Sequence, residues 1–302
     1  MSLEGKTVFI TGAARGIGAE SARRAAAKGA NVAVVGLEPE ELERVASAAG
    51  RGKGAAFECD VTDRDDLARA VEGTLERFGG IDAVVVNAGI GGGGLMRYAD
   101  PDQFEAVLRV NLIGSYRTIH ATLPHIIERK GYVLQIASLA AVAAAPGMAA
   151  YCASKHGVEA MANSLRTEVK HLGVDVGCAY FSWIGTEMVY GADRRERMGA
   201  ARKELKGPLG KTYPVSMAAD SVVQGIEERR RIVVTPNWIR PLISLKPLVQ
   251  RLTERGALPR MADIDRDTKA EFDEKGAEAF TPTGLGGEAF TAADRARGGA
   301  RV

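Results

Sequence analysis

The stretch Thr7-Val8-Phe9-Ile10-Thr11-Gly12-Ala13-Ala14-Arg15-Gly16-Ile17-Gly18 decides the fold. Its first five residues are β-branched or aromatic, the pattern of a strand buried on both faces. Glycines spaced G-xxx-G-x-G follow, and a helix-like pattern begins behind them. Strand, glycine turn and helix in that order bring backbone N–H groups to a helix N-terminus, where a pyrophosphate can be held. Gly12, Arg15, Gly16, Ile17 and Gly18 are therefore candidate binding residues.

The rest of the chain repeats this unit. Strand-like runs fall at 7–11, 32–35, 54–57, 83–86, 133–136 and 174–179, with a weaker one at 232–234. Helix-like segments lie near 16–28, 39–49, 63–78, 101–129, 151–171 and 216–229. Strand–helix alternation predicts an α/β fold: a doubly wound parallel sheet of the Rossmann type, with helices on both faces. That domain is expected to span residues 1–235.

Composition narrows the function classes. The 302 residues are 46% hydrophobic and 26% charged, as in ordinary globular proteins. A net charge of +2 gives no case for nucleic-acid binding. The triplet Arg229-Arg230-Arg231 reads as a solvated helix end. Cys59, Cys152 and Cys178 are too few and too scattered for a disulfide framework, and the four histidines lack ligand spacing, so no metal is expected. No run approaches a membrane span and no secretory leader is evident, which points to a reducing, cytoplasmic setting.

A second stretch carries chemistry. Tyr151-Cys152-Ala153-Ser154-Lys155 places a phenol and an amine four positions apart, on one face if the segment is helical. A neighbouring ammonium favours the phenolate, so Lys155 is expected to lower the Tyr151 pKa and make the pair a proton-transfer device.

Taken together, the motifs resemble the short-chain dehydrogenases/reductases of the single-domain type. The shared residues are the TGxxxGIG turn, Asn87-Ala88-Gly89 after the fourth strand, Tyr151 and Lys155, with Ser138 thirteen positions before the tyrosine. Asn111 matches the family's helix asparagine, and Asp60, followed by Val61, matches its adenine-side aspartate. The resemblance covers roughly residues 5–235. It implies an NAD(P)-dependent oxidoreductase in which Tyr151 is the general acid/base and Lys155 holds the nicotinamide ribose. Ser138 would hydrogen-bond the substrate oxygen, and Asn111 would position a water beside Lys155. It also implies a homodimer or homotetramer paired through the helices at 101–129 and 151–171. Two other classes remain beside it: a catalytically inactive cofactor-sensing protein, and an epimerase or dehydratase on the same scaffold.

The sequence departs from the family pattern after the sixth strand, where Phe181-Ser182 replace Pro-Gly before Trp183-Ile184-Gly185-Thr186. Ile184 and Thr186 still match the carboxamide contacts. At the end of the second strand the chain reads Val35-Gly36-Leu37-Glu38. Glu38 would take a ribose 2′-hydroxyl and repel a 2′-phosphate, while Arg15 could pair with that phosphate. The reading leans to NAD, with NADP as the alternative.

The expected pocket walls are Gly91 to Met96, Leu139 to Ala141, Pro146 to Met148, Phe181, Trp183 and Met188. They are mostly apolar and point to a small lipophilic alcohol or ketone as substrate. Residues 182–213 read either as a lid over the cleft or as an ordinary surface loop with a short helix. Residues 236–262, apolar and basic with three prolines up to position 247, are expected to pack on the domain or on a second subunit. An interfacial membrane segment is the alternative. Residues 263–302 are expected to be disordered.

Overall fold

The computed structural model describes residues 1–50, 52–194, 199 and 202–276. Seven strands run parallel in one sheet: β1 (Thr7–Thr11), β2 (Asn31–Gly36), β3 (Gly54–Glu58), β4 (Ala83–Val86), β5 (Tyr132–Ile136), β6 (Asp175–Phe181) and β7 (Ile232–Thr235). The spatial order is β3-β2-β1-β4-β5-β6-β7. The winding direction reverses between β1 and β4, which opens a crevice at their carboxyl ends.

Alternation along each strand feeds two cores. On β1, Phe9 packs on one face with Val84 and Val133, while Val8 and Ile10 pack on the other with Val32 and Leu134. Both faces are covered by helices, so these strands have no polar side and read as continuous apolar runs. Helix α1 (Gly16–Ala27) buries Ala19, Ala22, Ala25 and Ala26, a small-residue face that lets it lie close to the sheet. The helices α2 (Pro39–Ala48) and α3 (Arg64–Phe78) complete the first half. Asp63 caps α3 by accepting from the N–H groups of Asp65 and Asp66, and Gly79 ends it in the left-handed region.

The segment expected as one helix over 101–129 is broken in the middle. Helix α4 (Pro101–Leu108) runs into a π-helical turn, Arg109–Gly114, and then into α5 (Ser115–Glu128). The wider turn is where Asn111 sits, and π-turns of this kind are common at functional sites. Helix α6 (Ala149–Val169) follows β5, and α7 (Glu187–Arg194) and α8 (Val215–Glu227) follow β6.

The arginine triplet is not simply a solvated helix end. Arg229 donates to Asp175 at 2.6 Å and to the carbonyls of Lys130, Gly131 and Gly173 at 2.8–2.9 Å. Those carbonyls end helices and loops beside β5 and β6, and the guanidinium's several donors satisfy them together.

The C-terminal region carries a second correction. Helices α9 (Ile239–Ser244), α10 (Lys246–Ala257) and α11 (Met261–Lys275) follow β7, so 263–275 is helical where composition predicts disorder. A helix this polar is held by what it touches: the Phe272 ring lies 5.6 Å from that of Tyr98, and Asp265 pairs with Arg97. Residues 277–302 of the expected tail lie outside the described residues. Before α10, Ile239 is fully buried and the Trp238 indole N–H donates to the Tyr213 hydroxyl at 3.1 Å, seating the extension on the domain. Among the described residues no helix is long and apolar enough to cross a membrane.

Candidate active site

A cavity of about 530 Å³ opens over the carboxyl ends of β1, β2, β4, β5 and β6. Of the residues singled out in the sequence, it is lined by Gly12, Arg15, Gly16, Ile17, Glu38, Asp60, Val61, Asn87, Ala88, Gly89, Ser138, Tyr151, Lys155, Ile184 and Thr186. Gly18 and Asn111 lie behind that surface.

The glycine turn is shaped by close approach. Gly12 and Gly16 have φ of 63° and 57°, and a Cβ on Gly12 would meet the Ala88 backbone at 2.8 Å. Gly18 does not face the cavity because it packs α1 against β1: a Cβ there would fall 2.4 Å from the Gly12 carbonyl. Arg15 is the N-cap of α1 and makes no side-chain cap bond, so the first N–H groups of the helix are left for an anionic ligand. Thr11 and Asn87 brace the two strand ends. The Thr11 hydroxyl accepts from the N–H groups of Asn87 and Ala88 at 3.0 and 3.2 Å, and the Asn87 amide donates to the carbonyls of Thr11 and Gly12.

At the far end of this floor Arg15 and Glu38 pair with each other at 3.2 Å. The two residues that the sequence sets in opposition over the 2′ position therefore form one ion pair. Asp60 turns the chain after β3, its carboxylate accepting from the Thr62 N–H and hydroxyl at 2.8 Å.

The chemistry-bearing side chains converge near the start of α6. Ser138 lies two residues beyond β5 and caps the short turn Leu139–Ala141, its hydroxyl accepting from the Ala140 N–H at 3.2 Å. Lys155 is buried, with Nζ donating to the Ile136 carbonyl at 2.9 Å and lying 5.7 Å from the Tyr151 ring centre. Burial lowers its ammonium to about 8. The expected depression of Tyr151 is not found. Burial pushes the phenol up to about 12, and a hydrogen bond with Ser138 works in the opposite direction. Spacing alone counts the charge of Lys155 but not the desolvation of the phenol, which is the largest cause of its shift here.

Asn111 is fully buried, and its side-chain bonds go to protein groups. Its amide donates to the Ile90 carbonyl and the Ser154 hydroxyl, and its oxygen accepts from the Ile90 N–H at 2.8 Å. It ties the loop after β4 to α6 directly, and a Cβ on Gly89 would lie 3.1 Å from its oxygen and 3.6 Å from Lys155 Nζ.

The expected pocket walls divide. Phe181 and Met188 line the main cavity. Gly92, Gly94, Met96 and Gly147 line a separate crevice of about 20 Å³. Trp183 lies instead under the Arg202 guanidinium, 5.3 Å away. Within 182–213, which the sequence offers as a lid or as a surface loop with a short helix, Ser182 and the α7 residues Glu187 and Tyr190 also line the cavity. Their signal was positional: they follow directly on β6 at the carboxyl edge.

The donors suit a dinucleotide. Two polar atoms of cavity-lining residues, Arg15 Nε and Ser182 Oγ, are buried with no hydrogen-bond partner among the described residues. Buried polar groups of this kind call for a ligand or water. A helix N-terminus and a carboxylate at the second-strand end complete the set.

Comparison with known proteins agrees with this geometry. The family model of the short chain dehydrogenases matches residues 6–197. An uncharacterized NAD-dependent oxidoreductase of Mycobacterium tuberculosis is 34% identical over 206 residues, 62% of this chain and 74% of the relative. The 11-beta-hydroxysteroid dehydrogenase 1A of Arabidopsis thaliana is 32% identical over 265 residues, 84% of this chain and 75% of the relative. Among solved structures, 3-ketoacyl-(acyl-carrier-protein) reductase from Brucella melitensis, complexed with NADH, superposes with a TM-score of 0.70 at 27% identity, over 78% of this chain and 98% of that one. The chain belongs to the short-chain dehydrogenase family and is an oxidoreductase on a dinucleotide-binding fold.

Proposed function

We propose that the protein interconverts a lipophilic secondary alcohol and its ketone with NAD(H). The observation that carries this reading is the half-buried Tyr151, its phenol hydrogen-bonded to Ser138 and one helical turn from Lys155, on the wall of the dinucleotide cleft. A bound nicotinamide supplies the hydride acceptor or donor. Ser138 orients the substrate oxygen and stabilises charge developing on it. Tyr151 exchanges the proton at that oxygen, as base in oxidation and acid in reduction. Lys155 holds positive charge beside the phenol and is a donor for the nicotinamide ribose. Asn111 keeps the loop after β4 in register with α6.

The apolar lining from Ile90, Phe181, Met188 and Val189 supports a lipophilic substrate, as does the hydroxysteroid dehydrogenase relative. Glu38 supports NAD over NADP, and so does the NAD-dependent relative. Exposed Ile113 and Tyr116 support pairing of copies through the α4–α5 face, as a homodimer or homotetramer. Three free, buried cysteines suit a reducing, cytoplasmic setting.

The test is a panel of hydrophobic alcohols and ketones against both cofactors, followed by nicotinamide absorbance. Turnover is expected with bulky apolar substrates and NAD(H). Turnover confined to sugars or hydroxy acids would remove the substrate assignment. NADH binding with no turnover across the panel would favour the sensing protein.

A further inference from the structure

We propose that the C-terminal helices α10 and α11 set the width of the substrate end of the cleft by pinning its walls from behind, with Arg97, Tyr98, Gln250 and Phe272 as positioning residues. The proposal rests on the alcohol/ketone reading above.

The wall that needs support is the loop after β4. It contains Gly91-Gly92-Gly93-Gly94, four residues with no side chains to hold a shape and the largest conformational entropy to lose. Yet the loop is set. The Gly94 N–H donates to the Gly147 carbonyl at 2.8 Å, which joins it to the opposite wall just before α6 and Tyr151. Between the two walls lies the crevice of about 20 Å³, room for about one water and for no organic substrate. A substrate reaching Tyr151 from this side must part the walls. How far they part depends on what holds them.

The C-terminal helices hold both. On the glycine-loop side, Arg97 pairs with Asp265 of α11 at 3.4 Å and lies 4.7 Å over the Tyr98 ring. The Tyr98 ring in turn sits 5.6 Å from that of Phe272. On the other side, Gln250 of α10 clasps the backbone of one residue in the loop after Ser138, accepting from the Ala144 N–H at 2.8 Å and donating to the Ala144 carbonyl at 3.4 Å. The helices themselves are anchored independently of the loops. Lys246 pairs with Glu159 of α6, whose other oxygen accepts from the Tyr180 hydroxyl at 2.8 Å. Arg260 pairs with Glu204 of the segment after α7. The extension is thus tied to the catalytic helix; it grips the glycine-loop wall by an ion pair and a ring contact, and the opposite wall by hydrogen bonds.

The experiment uses the full-length chain in four forms: Arg97→Asp, Asp265→Arg, the double swap, and Phe272→Ala. Hydrogen exchange of the peptides covering 91–100 is measured in the protein alone. NADH affinity is measured by fluorescence, and KM and kcat are measured for one compact and one bulky ketone. The single swaps should speed exchange of the loop and change the bulky-to-compact ratio of KM by about 2–5-fold, as an exposed ion pair allows, with kcat and NADH affinity held. The double swap should restore both readouts. Phe272→Ala should move them further, by about 3–10-fold. Unchanged exchange in Phe272→Ala and in both single swaps overturns the proposal. So does a parallel loss of NADH affinity, which would make α11 a general stabiliser. If the wild-type chain turns over neither ketone, the functional reading fails, while the exchange data still decide whether α11 grips the loop.

Discussion

The two ends of the cleft are held by different materials. At the dinucleotide end the walls are backbone: the Gly12–Gly16 turn, the first N–H groups of α1, and strand ends braced by Thr11 and Asn87. At the substrate end the walls are loops whose shape is borrowed from side chains arriving from more than 100 residues away, such as Gln250 on Ala144 and Phe272 on Tyr98. A backbone wall tolerates few sequences, because glycine alone fits where a Cβ would collide. A borrowed wall can be retuned by changing the lender. One fold can therefore keep its cofactor while changing its substrate.

Tyr151 stands where the two ends meet, and its removal has the largest expected effect. Tyr151→Phe should cut turnover by about 10²–10⁴-fold, the ordinary worth of a positioned acid or base, with NADH affinity changed by less than about twofold. A variant that keeps most of its turnover would separate the phenol from the chemistry and leave the cleft a binding site.

Legibility in the sequence followed the same division. Strands such as β1, β2 and β4 were readable because burial on both faces leaves apolar, largely β-branched runs, and the glycine turn was readable because its spacing is a steric requirement. Tyr151, Lys155 and Ser138 were found by spacing and resemblance, and the structure gathers them at one wall. The break at Arg109–Gly114 was not readable, since a π-turn keeps the helical hydrophobic period on either side. The raised Tyr151 pKa was not readable either, because desolvation depends on what covers the pair. Helix α11 was missed because its composition is polar throughout, and its order comes from two contacts with the loop around Arg97 and Tyr98. The pairing of Arg15 with Glu38 was hidden because each residue was weighed against a ligand and not against the other.

Lys155 tests how much stability the junction gives up for its chemistry. Its ordinary value of 10.5 falls to about 8 in the folded chain. Between those values the unfolded chain binds more protons than the folded one, so this group makes stability rise with pH across that window. Below about 8 the folded protein carries a buried ammonium, a burden on the order of 3 kcal/mol. Lys155→Met removes it and loses the bond to the Ile136 carbonyl, worth about 1 kcal/mol. At pH 7 the variant should therefore melt at or above the wild-type temperature while losing activity. From pH 8 to 10 the wild type should gain on the variant. A gap that is flat with pH would show that Lys155 keeps its charge at no cost.

The smallest expected effect lies at the dinucleotide end, where the comparison is most exposed to failure. If that end is backbone alone, side chains there should tune cofactor choice without affecting binding of the shared part. Glu38 and Arg15 are paired at 3.2 Å and both are partly open to water, so the pair itself contributes little to stability. Its consequence is for a ligand. With Glu38 beside it, Arg15 is neutralised and a 2′-phosphate meets a carboxylate. Glu38→Gln removes the repulsion and frees the guanidinium, and both changes favour the phosphorylated cofactor. The ratio of NADPH to NADH affinity should rise by about tenfold, roughly 1.4 kcal/mol, with melting temperature unchanged. Fluorescence titration of both cofactors checks it. An unmoved ratio would mean that the ion pair faces solvent and not the ribose. A fall in affinity for both cofactors alike would mean that Glu38 shapes the turn after β2, and the dinucleotide end would then lean on side chains as the substrate end does.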